Sequence, residues 1–257
     1  METLALVFIV NLLVGACIGL TGIAGFLLPI FYVSVLMLDP IESLALAFAA
    51  FVVSGVLGWP AYRASGDLPL RACGWLCLGS LVGAVAGVFV GLALPAQVLT
   101  VTLYIVVLVS GTSVLVRMRP KKSIKLKDDA QTGERPAAVY VAVGLVTAVI
   151  CAASGAGGPV LVVPILMLLG FSPRSAVGMS LLDSVAIGIP SAIGYFAGGA
   201  IEPGVWSLLA PALIGHGIGT ILGSKNAHRI NATVLKVVVA VGSIGVALFK
   251  LAGMLLG

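Results

Sequence analysis

Two stretches of this sequence carry the residue types that could hold a negative charge. Thr21-Gly22-Ile23-Ala24-Gly25 runs into Phe26-Leu27-Leu28-Pro29, and Ser154-Gly155-Ala156-Gly157-Gly158 runs into Pro159-Val160-Leu161. A glycine break inside an apolar run ends one helix and starts another. The new helix presents N–H groups with no partner in their own turn, at the positive end of its dipole. Thr21 and Ser154 precede the breaks and can add hydroxyl hydrogen bonds, and Pro159 suits a first helical position. No Arg or Lys lies in mid-span; Lys236 and Lys250 sit near the ends of the last segment, where they can snorkel to the interface. An anion here would be held by backbone N–H, hydroxyls and helix dipoles rather than by a buried guanidinium, which suits a small, weakly hydrated oxyanion. The substrate-binding candidates are Thr21, Gly22, Ala24, Gly25, Ser154, Gly155, Gly157 and Gly158, joined by Ser180 and Ser184. A single break would read equally well as a packing kink; two matched breaks favour a site.

The second set is Asp183 and His216, each near the middle of its apolar segment. Ionisable groups at that depth cost several kcal/mol, about 3 at least, and face a cavity or a partner. Asp183 is flanked by Ser180, Ser184 and Ser191. Both residues are candidates for proton coupling, against the plainer reading of internal hydrogen bonding and a neutral core histidine. Cys17, Cys73, Cys77 and Cys151 lack metal-ligand spacing and read as small apolar filling; no metal and no cofactor is expected. Tyr62 and Tyr195 end corresponding segments and read as interfacial anchors. Asn11 reads as an interhelical hydrogen bonder.

These residues must be positioned by membrane spans. Of 257 residues, 60% are hydrophobic and 9% charged, with 33 glycines; mean hydropathy is +1.22. An ordinary soluble domain carries about 25% charge. Apolar segments run at 3–20, 26–38, 43–62, 71–93 and 97–117, then at 137–153, 159–170, 174–196, 203–224 and 231–256. A span needs roughly 20 residues, so 26–38 and 159–170 are short and read as half-helices or tilted short spans. The net charge of +5 gathers at Arg117, Arg119, Lys121, Lys122, Lys125, Lys127 and Arg135. Such a basic loop between spans marks a cytoplasmic face rather than a nucleic-acid site. The start, Met-Glu-Thr, lacks a basic region, so no cleavable signal peptide is expected. The chain divides into a first transmembrane repeat (1–117), a basic cytoplasmic linker (118–136) and a second transmembrane repeat (137–257).

The halves match beyond the breaks, which stand about 133 residues apart, the pattern that points to a transporter's binding site. Asp39-Pro40 answers Ser172-Pro173, Tyr62 answers Tyr195, and Gly79, Gly83 and Gly87 answer Gly215, Gly219 and Gly223. If each glycine-broken run crossed once, Arg174, Lys225 and Arg229 would fall outside and Glu202 inside. With five segments per half, Arg63, Arg71, Arg174, Lys225 and Arg229 fall inside and Asp39, Glu42 and Glu202 outside, in accord with the positive-inside bias. Five is odd, so the expected fold is an all-α polytopic membrane protein. It is an inverted repeat of two five-segment halves, each beginning with a glycine-broken re-entrant or short-helix hairpin.

The residues Ser154-Gly-Ala-Gly-Gly-Pro, Pro164, Ser172-Pro173-Arg174-Ser175-Ala176-Val177-Gly178-Met179-Ser180 and the later Gly215 run resemble the sulfite exporter TauE/SafE family, also called the toluene sulfonate uptake permeases. The first half is the looser match: Gly22-Ile-Ala-Gly25 lacks the extra glycine, and Ala47 stands where Ser180 stands in the second. The resemblance implies transport of a sulfur-containing anion across a bacterial inner membrane by a multi-pass protein, without naming the anion or its direction. The expected function is therefore a secondary transporter of a sulfonate, sulfoacetate or sulfite type of anion by alternating access, coupled to a proton or cation. Its partners are the anion and the lipid bilayer, no nucleic acid, with room for a homo-oligomer. The rivals are an anion channel or uncoupled facilitator, and an intramembrane enzyme, for which the sequence offers no nucleophile elbow, metal motif or paired acid and base.

Overall fold

The computed structural model describes residues 2–118 apart from 23, 65 and 67, residues 135–227, and a few positions between 241 and 252. All regular structure among them is helical. The helices are α1 (Glu2–Thr21), α2 (Leu27–Ser34, entered through a 3₁₀ turn at Ala24–Phe26), α3 (Pro40–Ala64), α4 (Leu70–Ala93), α5 (Ala96–Met118), α6 (Ala137–Ser154), α7 (Gly158–Leu168), α8 (Pro173–Gly198) and α9 (Pro203–Asn226). Six of these, α1, α3, α4, α6, α8 and α9, are long and apolar enough to cross a membrane. The apolar segments read from the sequence fall on these helices one for one, with α2 and α7 short as expected. Most of the tenth segment, 231–256, lies outside the described residues, as do Lys236, Lys250 and most of the basic linker.

Helix ends follow local chemistry. Asp39 Oδ1 accepts the N–H of Ile41 at 2.8 Å just ahead of α3, and Ser172 Oγ accepts that of Ser175 at 3.1 Å ahead of α8. Each is followed by a proline in the first turn, where its missing N–H costs nothing.

Packing is built on glycine ladders. A Cβ on Gly79, Gly83 or Gly87 of α4 would strike the carbonyl oxygens of Val141, Leu145 and Val149 of α6. One on Gly215, Gly219 or Gly223 of α9 would strike those of Phe8, Leu12 and Ala16 of α1. Numbers rise together in both pairs, so each pair is parallel, and small residues every fourth position let the backbones touch. The central helices α3 and α8 run antiparallel: Gly55 meets Leu181 and Val185, while Gly188 meets Phe48 and Val52. The outer faces keep large apolar side chains exposed, among them Phe89, Ile193 and Ile214, as a lipid-facing surface requires.

The same contacts recur in both halves at a constant interval. Tyr62 donates to the Gly19 carbonyl at 2.8 Å, and Tyr195 donates to the Ala152 carbonyl at 2.8 Å. The expectation that these tyrosines anchor at the interface is thus corrected: both are buried. Their hydroxyls donate to carbonyls in the last turn of α1 and α6, next to the glycine breaks. Asn11 does make its interhelical bond, from Nδ2 to the Tyr32 hydroxyl at 2.9 Å. Charge separates along the bundle. At one end Glu42 accepts the N–H groups of Glu202 at 2.8 Å and Asp39 at 3.3 Å. At the other end of α3, a cavity of about 340 Å³ is lined by Arg71, Arg135, Trp75, Tyr140 and Phe171.

Candidate functional site

The two breaks have the same backbone geometry where they begin. α1 stops at Thr21, and Gly22 turns left-handed at φ +70°; α6 stops at Ser154, and Gly155 turns left-handed at φ +70°. Gly22 N–H reaches back to the Ile18 carbonyl at 2.8 Å, and Gly155 N–H to the Cys151 carbonyl at 2.8 Å. This is the left-handed glycine stop of a helix, which a side chain would strain. A Cβ at Gly155 would also displace the end of the Leu44 side chain and crowd Pro29. The breaks then diverge. Gly157 takes a second positive φ of +74° and opens α7 directly, whereas Ala24–Phe26 form a 3₁₀ turn before α2.

The two restarting helices meet. A Cβ built on Gly25 would lie 3.6 Å from the Gly157 Cα, and one on Gly157 3.4 Å from the Gly25 Cα. Both would lie 3.3 Å from the ring of Phe51, on α3. Ala24 and Ala156 are buried on either side. The junction is thus a three-way contact of two glycines and one phenyl ring.

The expected hydroxyl donors each bond a carbonyl one turn back. Thr21 Oγ1 donates to the Cys17 carbonyl at 2.8 Å, Ser154 to Ile150 at 2.6 Å, Ser180 to Val177 at 2.8 Å and Ser184 to Ser180 at 2.8 Å. Each bonds its own helix backbone, the habit of Ser and Thr inside helices. The side chains nearest Gly22, Gly25, Gly155 and Gly157 are Phe51, Leu44, Pro29, Val163 and Val177, not Ser180 or Ser184. The donors left to the junction are the backbone N–H groups of the helix starts.

Asp183 and His216 are both fully buried. Neither Asp183 carboxyl oxygen and neither His216 ring nitrogen makes a well-formed hydrogen bond, the backbone of Asn11 being close enough to act on the imidazole. Across from Asp183 stand Ser80 and Cys77 of α4, close enough to act on the carboxyl but without a well-formed hydrogen bond, with Cys73 and Cys151 in the same surroundings. Cysteines read as filler therefore stand near a buried acid. His216 presents its ring to Phe51, centroids 6.4 Å apart at 60°. The repeat explains why the two residues are apart. Asp183 answers Ala50, and His216 on the glycine ladder answers Ser80, so the α8–α4 and α3–α9 junctions carry one ionisable group each. They are not an acid–base dyad. Among the described residues no group of three or more His, Cys, Asp or Glu could hold a metal ion.

The profile of the family described as Sulfite exporter TauE/SafE matches residues 7–249. The chain belongs to the TauE/SafE family. A curated relative, the Probable membrane transporter protein YdhB of Bacillus subtilis (strain 168), is 24% identical over 240 residues, covering 90% of this chain and 93% of the relative. No solved structure matches. This TauE/SafE chain is accordingly a membrane transporter whose two glycine-broken helices meet inside the bundle. Sequence reasoning missed Phe51, because a phenylalanine in an apolar run carries no signal of its own. Its answer in the second half, Ser184, is the clue: the repeat is broken at the residue that sits on both glycines.

Proposed function

We propose that this protein is a secondary transporter that moves a small sulfur-containing anion, of the sulfonate, sulfoacetate or sulfite type, across the bacterial inner membrane by alternating access. The observation that carries this reading is the meeting of Gly25 and Gly157, which brings the starts of two interrupted helices together within the bundle. Two positive helix ends, with the backbone N–H groups of a first helical turn, favour a negative guest there, and no full charge is needed. The sulfur chemistry of the anion comes from the family.

An inverted repeat is supported by two contacts. Crossing once per broken run would leave Glu42 and Glu202 on opposite faces, yet Glu202 N–H bonds Glu42 at 2.8 Å. And α3 and α8, the answering central helices, run antiparallel, as a half-turn about an axis in the membrane plane requires. The positive-inside bias then puts the Arg71–Arg135 cavity in the cytoplasm and the Glu42–Glu202 end outside. Asp183 serves as the proton carrier. A hard cation such as sodium wants several oxygen ligands, whereas Asp183 faces one hydroxyl and three thiols. Phe51 wedged on the junction favours a carrier over an open channel.

Thermal unfolding of the purified protein with sulfite, taurine, sulfoacetate, isethionate and aryl sulfonates tests the reading. At least one anion should raise the unfolding temperature, because a ligand of the folded state stabilises it by mass action. Gly157→Val should abolish that shift. An anion shift that survives in both Gly157→Val and Gly25→Val would remove the paired-tip site.

A further inference from the structure

Phe51 answers Ser184 in the repeat, so one half places a phenyl ring where the other places a hydroxymethyl group. The ring is buried beside Gly25 and Gly157, where a Cβ on either glycine would lie 3.3 Å from it. Its edge contacts continue outward, to Phe48 with centroids 5.7 Å apart at 88° and to His216 at 6.4 Å. The His216 ring behind it is fully buried, and neither nitrogen makes a well-formed hydrogen bond, the backbone of Asn11 on α1 being close enough to act on the ring. A buried imidazole N–H without a well-formed bond carries a desolvation cost that proteins ordinarily avoid. The imidazole stands one aromatic ring away from the two helix starts.

We infer that Phe51 is a removable plug between the paired glycine tips and His216, and that the transported oxyanion, on taking the ring's place, also accepts a hydrogen bond from His216. This rests on the paired-tip reading above and adds to it a third ligand and a residue that sets size. The chemistry is consistent on both sides of the exchange. With the ring in place, apolar groups fill the junction between the two glycines. With the ring swung aside, an anion meets two sets of backbone N–H groups and one imidazole N–H, in a space shaped for a phenyl group. A sulfite or sulfo group fits that space, and a bulkier head does not. His216 is thereby a substrate ligand, leaving proton carriage to Asp183 at the other junction.

The plug makes a prediction opposite to that of an ordinary core phenylalanine. Ligand binding to a state that is only fractionally open is weakened by that fraction. If the ring fills the junction in about nine molecules of ten, removing it tightens binding about tenfold. Binding of sulfite and of benzenesulfonate to the full-length protein in detergent is measured calorimetrically for the wild type, Phe51→Ala, Phe51→Leu, His216→Leu, His216→Gln and Gly157→Val. Phe51→Ala should bind sulfite about tenfold more tightly and gain more for benzenesulfonate than for sulfite; Phe51→Leu should fall between, and carries the test if the alanine variant does not fold. His216→Leu should weaken sulfite about tenfold, and His216→Gln, which keeps an N–H, should restore most of it. Unchanged or weaker binding in both Phe51 variants, with binding abolished by Gly157→Val, would overturn the plug and leave the tips standing. Binding indifferent to Gly157→Val would overturn the paired-tip site and this inference together.

Discussion

A carboxyl group with two unbonded oxygens in the middle of a bilayer-spanning helix is defined by its neighbours. Those of Asp183 are Ser80, Cys73, Cys77 and Cys151, none of them a cation that could hold a carboxylate charge. On the transport reading proposed above, Asp183 is the proton carrier. Asp183→Asn keeps the shape and loses the proton. In proteoliposomes it should retain anion binding within about threefold and exchange anion for anion, while a pH gradient no longer drives net uptake. Gradient-driven uptake at wild-type rates would remove the role. At this scale the sequence was legible where a residue was out of place in an apolar run, as Asp183, His216 and Asn11 are. It was illegible where a residue looked ordinary. Phe51 gives no sign of lying on two glycines. Tyr62 and Tyr195 sit near helix ends, as interfacial tyrosines do, yet their hydroxyls turn inward to the Gly19 and Ala152 carbonyls. Thr21 and Ser154 were expected as ligands from their position before the breaks. Their preference for the carbonyl a turn back is a local competition that spacing does not reveal.

The helices themselves were plain from hydropathy, since lipid demands long unbroken apolar runs and leaves charges at their ends. The short α2 and α7 were equally plain, because nothing but a glycine break interrupts such a run. What the sequence left open was which helices pair. The glycine ladders answer it: α4 lies on α6 and α1 on α9, each half lending its ladder to the opening helix of the other. Without a hydrophobic force between helices in lipid, this association depends on close approach. Gly83→Leu or Gly219→Leu would drive a side chain into the Leu145 or Leu12 carbonyl and should abolish folded, monodisperse protein on size-exclusion chromatography. Gly74 lies on α4 with nothing within 4 Å of its absent Cβ, so Gly74→Leu should elute as wild type. Equal behaviour of the ladder and control variants would show that these glycines are not what brings the helices together.

At the scale of the whole molecule, duplication is the organising fact. Matched stops at Gly22 and Gly155, matched tyrosine bonds and matched ladders build one scaffold twice. The departures from it — Phe51 for Ser184, Asp183 for Ala50, His216 for Ser80 — cluster at the junctions the scaffold creates. The repeated frame brings two helix starts together, and its exceptions are the residues proposed above as plug, proton carrier and extra ligand. The acidic Glu42–Glu202 end and the basic Arg71–Arg135 cavity add a direction to that frame. The central claim is that the anion sits where the two tips meet. Selenite, the selenium counterpart of sulfite, diffused into crystals of the full-length protein and located by its anomalous scattering, tests it most directly. The account predicts a selenium peak between Gly25 and Gly157, with the Phe51 ring displaced. A peak only in the cavity between Arg71 and Arg135, with the glycine tips still in contact, would contradict it.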